Sequence, residues 1–166
     1  RGGHIGRAPD GYLNRERRTD SSEKLEHGRY ERWIEPDPER WEIWRLAWDL
    51  LLTNRHTLKS ICDELHARGH RLRSGRPFVT IDAKGNRKYA SNTLSSILHN
   101  WAYAGWVVSE KAEIPPKTIR GNWEPLVTTE EFEQGLAILK ERCDSPDPQH
   151  RHVYLLTGLI YLKRPD

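Results

Sequence analysis

Methionine is missing altogether from the 166 residues, and cysteine occurs only twice. With no initiator methionine, the chain reads as an interior piece of a longer protein. Cys62 and Cys143 lie far apart and neither belongs to a CxxC pair, so no zinc site can be assembled from cysteines within the chain. Cys62 falls on the apolar side of a predicted helix and reads as a small buried residue. Such cysteine usage fits a reducing, cytosolic compartment. No run of about 18 apolar residues occurs, which excludes a membrane-spanning helix. Arg1-Gly2-Gly3-His4 carries no apolar signal-peptide core. A glycine-rich phosphate loop after a strand is also lacking, so nucleotide hydrolysis has no support. Histidines and carboxylates are plentiful but scattered, and no catalytic constellation stands out. His66 and His70 are separated by the expected helix end at Gly69, and His150 and His152 alternate in a polar linker. All four read as surface groups, so neither a metal nor a cofactor is expected.

Charge is present in quantity and unevenly placed. Hydrophobic residues make up 36% and charged residues 31% of the chain, with a net charge of +3. Residues 55 to 90 hold nine Lys/Arg against three acids, whereas residues 35 to 54 and 101 to 166 are both net acidic. A positive field focused on one stretch is the electrostatic footprint expected for phosphates.

The organisation follows from composition and period. Residues 1–32 start Gly-rich and continue dense in Arg, Glu and Ser, which reads as an extended arm or linker. Tyr30 and Trp33-Ile34 read as a short strand pinning that arm to a body at 33–143. Asp37 and Pro38 open a helix, with Asp37 as cap and Pro38 at its first position. Trp41, Trp44, Trp48 and Leu51 follow at helical spacing and read as core. Thr57 caps a second helix with Leu58, Ile61, Cys62 and Leu65 inward, and Gly69 stops it. Phe78–Ile81 and Arg87–Tyr89 flank a turn and predict a hairpin with a basic tip. Ser91 is expected to cap a third helix with Leu94, Ile97, Leu98 and Trp101 on one face. Residues 105–108 read as a strand, Pro115-Pro116 as a loop, and 122–127 as a second strand or its approach. Thr128 or Thr129 caps a last helix running to about Arg142. Residues 144–166 read as a linker and the start of a further module. The fold class expected is mostly α with small β elements (α+β), helix-turn-helix or winged-helix-like, with an extended N-terminal arm.

The third helix carries the chemistry. Its outer face offers Asn92, Thr93, Ser95, Ser96, His99 and Asn100. Small side chains let a helix sit deep in the major groove, and Asn or His can address base edges. Arg71, Arg73, Arg76, Lys84, Arg87 and Lys88 on the preceding loop and hairpin would contact phosphate, setting register without reading sequence. Arg7, Arg15, Arg17 and Arg18 give the arm the composition of a segment that tracks the backbone or minor groove. The expected partner is double-stranded DNA. Three other readings remain open at this level: a stand-alone winged-helix transcriptional regulator, a metal-dependent nuclease fragment, and a protein-interaction module built on exposed tryptophans.

Four motifs in order carry a family resemblance. They are Gly6-Arg7-Ala8-Pro9-Asp10-Gly11-Tyr12, Glu35-Pro36-Asp37-Pro38, Ser91 to Gly105, and Trp123-Glu124-Pro125-Leu126-Val127-Thr128-Thr129-Glu130-Glu131-Phe132. Together they resemble the recombinase domain of large serine recombinases (LSRs), the phage integrases and element-encoded site-specific recombinases. The closing Leu155-Leu156-Thr157-Gly158-Leu159-Ile160 is similar to the start of that family's zinc ribbon. The resemblance implies a DNA-binding domain gripping attachment half-sites, while a serine in a separate catalytic domain upstream of Arg1 cuts and rejoins DNA. This chain would carry no catalytic residue itself. It also implies a bacterial or phage-encoded, nucleoid-associated protein, dimeric on a site and tetrameric in a synapse. By position, the arm would follow the minor groove and helix 92–100 would lie in the major groove.

Overall fold

Trp44 and Trp48, one helical turn apart, are fully buried and organise the body. In the computed structural model, residues 6–18, 30–109 and 112–144 are described. Both tryptophans lie on α1 (Trp41–Leu52), the central helix. Trp44 meets Phe78 edge-on at 6.0 Å, and Trp48 meets Phe132 at 5.3 Å between ring centroids. Phe132 in turn packs on Trp101 at 4.6 Å, so one aromatic chain links separate elements. Trp41 is only partly buried, and its ring stands edge-on to that of Tyr12 at 5.2 Å. The tryptophans are therefore core, as their spacing indicates, and do not form an exposed interaction surface. Cys62 is buried with them, and burial pushes its thiol up to about 11, which keeps it protonated near neutrality.

Among the described residues, four α-helices and three two-stranded antiparallel sheets make the α+β fold. β1 (Tyr12–Arg18) pairs with β2 (Tyr30–Pro36) from Tyr12↔Pro36 to Arg18↔Tyr30. Thus residues 12–18 are extended, but they form a ribbon with β2, and Ala8 and Tyr12 are packed in the core. An apolar Tyr12 ring cannot stay in a solvated arm when α1 offers it a face. Asp37 accepts from the Glu39 N–H at 3.0 Å, and its own carbonyl accepts from Trp41 at 2.8 Å. The start signal at Asp37-Pro38 therefore builds a turn, and the regular helix begins at Trp41.

α2 (Leu58–Ala67) is capped by Thr57, whose hydroxyl accepts from Ser60 at 3.2 Å. It ends in a Schellman arrangement, with His70 N–H on Leu65 O and Gly69 N–H on His66 O, Gly69 taking a φ of +78°. β3 (Val79–Ile81) and β4 (Arg87–Tyr89) form the expected hairpin. At its tip Asp82 accepts from the N–H groups of Lys84 and Asn86, both at 2.9 Å. α3 (Ser91–Leu98) follows at once. Ser91 is its first residue and not its cap, because Ala90 occupies the cap position while its N–H bonds Phe78 O.

Beyond α3, Asn100 caps a short 3-10 turn (Trp101–Ala104) by accepting from Ala102 N–H at 3.0 Å. β5 (Trp106–Ser109) pairs with β6 (Ile114–Arg120). Pro115-Pro116 therefore lies in a strand and not in a loop. The register passes from Val107↔Ile119 to Ser109↔Ile114 across a bulge, so the prolines sit where no ladder donor is required. Residues 122–127 form no strand, because their donors go elsewhere. Leu126 and Val127 N–H both bond Tyr103 O, and the Trp123 indole bonds Ala102 O at 2.9 Å.

α4 (Thr129–Asp144) closes the core through Phe132, Ile138 and Leu139. Its start is a capping box: Glu131 N–H donates to Thr128 Oγ1 at 3.1 Å, and Thr128 N–H donates to Glu131 Oε2 at 2.9 Å. Arg45 of α1 reaches the same carboxylate with both terminal nitrogens, at 2.8 and 3.1 Å. That guanidinium holds the Glu131 carboxyl below its ordinary value of 4.5. A depressed carboxylate contributes stability above its unfolded pKa and loses it as pH falls through the folded one. Glu131→Gln is therefore expected to cost about 1 kcal/mol near neutral pH. The gap to the unsubstituted chain should close below about pH 4.5 in denaturation measured across pH. An equal gap at pH 3 and pH 7 would mean that the carboxylate charge plays no part.

Candidate nucleic-acid interface

Leu94 and Leu98 of α3 are fully buried, and Ile97 and Trp101 pack against the same core. That fixes the rotation of the helix, so Asn92, Thr93, Ser96 and His99 face solvent, with Ser95 half-buried beside them. The outer face carries no large apolar side chain. His99 Nδ1 lies 2.7 Å from Ser95 O. A carbonyl only accepts, so Nδ1 donates its proton there and Nε2 is left without a partner among the described residues. Asn100 is exposed, but its carbonyl oxygen is engaged as the 3-10 cap, which takes it away from base reading.

Most of the expected cations lie on the loop and hairpin that lead into this helix. The hairpin runs directly into α3 through Ala90, whose N–H bonds Phe78 O at 2.9 Å. Lys84 is exposed at its tip and Lys88 lies on β4, with Asp82 4.0 Å away. Arg87 is exposed too, and ties the hairpin to α2 through Asp63 at 3.1 Å. Loop 71–77 is closed by a β-bridge between Arg71 and Pro77 and by Leu72 N–H on Arg76 O. Arg71 and Arg76 are exposed on it.

Two residues are placed otherwise than a simple basic patch would have them, Arg73 and Arg15. Arg73 points inward and donates to the carbonyls of Ala8 at 2.8 Å and Tyr12 at 2.9 Å. Arg7 is exposed and adjoins that contact in sequence. Arg15 stands on the β1–β2 ribbon, engaged by Glu35, and is not brought to α3 by any contact among the described residues. Sequence reasoning passed over Arg40, which sits in the acidic stretch yet joins Asp10 to the basic loop. It also passed over Ile81, 71% exposed on the hairpin beside Arg87, an apolar group at the margin of a polar face. Nothing in the sequence period distinguishes Ile81 from an inward strand residue, since it shares the Val79 face and simply overruns the core.

Among the described residues, no group of three or more His, Cys, Asp or Glu is placed to hold a metal ion. None of their helices is long and apolar enough to cross a membrane. The candidate site is thus a polar helix face preceded in the chain by an exposed basic loop and hairpin, a composition suited to an anionic polymer with readable edges.

Residues 38–142 match the protein-family model described as Recombinase. No curated protein matches the chain. A solved structure described as the crystal structure of an LSR–DNA complex superposes with a TM-score of 0.58 at 17% identity, covering 93% of this chain and 39% of that one. A second, described by the sequence requirements of the Listeria innocua prophage attP site, gives a TM-score of 0.57 at 18% identity, covering 93% of this chain and 53% of that one. The chain therefore spans between about two-fifths and a half of those chains, and shares their fold.

Proposed function

The chain belongs to the Recombinase family, and from that premise we propose that it binds duplex DNA sequence-specifically, as the half-site-gripping domain of a serine site-specific recombinase. The observation that carries this reading is the outer face of α3: small, polar and exposed, and continuous with the cationic hairpin and loop. α3 enters the major groove, where Asn92 addresses an adenine edge and Ser95, Ser96 and Thr93 allow close approach. Arg71, Arg76, Lys84, Arg87 and Lys88 meet phosphates on either side. Arg7 follows the backbone or minor groove ahead of the body, and Arg15 joins it from the ribbon. In this reading, residues 1–32 lead from a catalytic domain, 33–143 form the DNA-binding domain, and 144–166 lead to a further module. Cleavage and strand exchange belong to the whole recombinase, dimeric on a site and tetrameric in a synapse, acting at the nucleoid. Membership of the family disfavours a regulator that never takes part in recombination.

Substitutions separate reading from gripping. Asn92→Ala is expected to lose about 1–3 kcal/mol on the preferred site and much less on random duplex. Arg76→Ala is expected to weaken both equally and to lower the salt slope by about one. Fluorescence anisotropy titrations on paired duplexes decide the matter. Equal losses on the two duplexes for Asn92→Ala would remove α3 as the reading helix.

A further inference from the structure

The turn at residues 8–12 is held by side chains from three other parts of the fold. Arg73 of the basic loop takes the Ala8 and Tyr12 carbonyls. Tyr103 donates its hydroxyl to the Asp10 carbonyl at 2.6 Å. Arg40, just ahead of α1, grips both carboxylate oxygens of Asp10, at 2.5 and 2.8 Å, and reaches the Arg71 carbonyl at 3.0 Å. The Arg40 and Asp10 side chains are only 18% and 10% exposed. Gly11 lies flat on Trp44, where an added Cβ would come within 2.8 Å of the ring, and its φ of +93° suits glycine.

The turn already closes on itself through Tyr12 N–H and Pro9 O, so these links do not serve to form it. The two arginines join it to loop 71–77, and Tyr103 fastens it to the 3-10 turn. Arg7 immediately precedes the turn and Arg71 and Arg76 lie on the loop, and all three are exposed. We propose that Arg40 and Arg73 are positioning residues that lock the N-terminal turn to the basic loop, so that Arg7, Arg71 and Arg76 meet one duplex at fixed spacing. This rests on the DNA-binding reading. A loose turn would have to be ordered at the moment of binding; a locked one is ordered beforehand, and the affinity rises accordingly. Both positions call for arginine, since a planar fork reaches two acceptors and an ammonium does not.

The test uses the 166-residue chain with Arg40→Gln, Arg73→Lys and Tyr103→Phe, each alone and combined with Arg7→Ala. Duplex affinity is measured alongside amide exchange at Tyr12 and Asp37, whose N–H groups bond Pro9 O and Gly11 O. Arg73→Lys keeps its charge, yet is expected to bind about tenfold more weakly, as is Arg40→Gln. Those losses should largely disappear in the Arg7→Ala background. Exchange at Tyr12 and Asp37 should quicken while α4 amides keep their protection, which reports an intact body. Tyr103→Phe removes a single hydroxyl and should show the same pattern at about threefold, so it decides the question if either arginine variant fails to fold. Unchanged affinity, or equal losses with and without Arg7, would overturn the positioning role alone. No duplex binding by the unsubstituted chain would overturn that role and the DNA reading together.

Discussion

Trp48→Ala is expected to destabilise the body by about 3–5 kcal/mol, a large part of what a domain of this size has in reserve. The indole is fully buried and meets Phe132 of α4, while its neighbour Trp44 meets Phe78 ahead of the hairpin. Removing it leaves a cavity between α1 and α4 that neither helix can collapse into, because Leu51 and Phe132 are already packed on either side. Both indole N–H groups are buried without an acceptor among the described residues, so the rings act as apolar bulk. Trp48→Phe should therefore recover most of the loss. The same contact sets the sign of a second change. Alanine for glycine inside a helix normally stabilises by up to about 1 kcal/mol. At Gly135 a Cβ would stand 2.4 Å from Trp48 Cζ3 and 3.2 Å from Leu51 Cδ2, so Gly135→Ala is expected to destabilise by about 1–3 kcal/mol. Urea denaturation measures both. A loss under about 1 kcal/mol for Trp48→Ala would mean the indole is not core.

Replacing Arg76, Lys84 and Lys88 together with alanine is expected to lower duplex affinity about a hundredfold at near-physiological salt. Each phosphate contact contributes about 0.9 to the dependence of log affinity on log salt, so three contacts should flatten that slope by about 2.7. All three side chains are exposed, and the weak 4.0 Å approach of Lys88 to Asp82 is the one ion pair assigned to them among the described residues. Stability should consequently change little. The loss should also be alike on specific and random duplexes, since phosphates carry no sequence. A steep salt slope that survives the triple substitution would place the electrostatic contact elsewhere on the molecule.

The parts of the fold legible from sequence are those where one local pattern decides the outcome. Helical spacing of Trp44, Trp48 and Leu51 identified α1 as core, and Thr57 with Gly69 bracketed α2. Thr128 with Glu131 is a self-contained capping box. What escaped was decided by partners distant in sequence. Pro115-Pro116 reads locally as a break, yet a bulge in β6 accommodates it. Residues 122–127 have strand composition, but Tyr103 O takes two of their donors. The segment around Tyr12 reads as solvated arm, because nothing nearby reveals that Trp41 and Tyr103 receive its ring or that Glu124 O accepts its hydroxyl at 2.8 Å. The candidate site shows the same division. The outward face of α3 follows from its period. The inward turn of Arg73 does not, since one arginine in a basic run looks like the next until the Ala8 and Tyr12 carbonyls are seen beside it. Arg40 is harder still, because its partner lies thirty residues earlier.

Selection of bound duplexes from a random library by this chain, at low and near-physiological salt, tests the central claim most directly. The account predicts an enriched motif that persists at the higher salt, with base preferences that shift when Asn92 or Ser96 is replaced. Binding without a motif, lost as salt rises, would leave only a cationic surface and contradict sequence reading by α3.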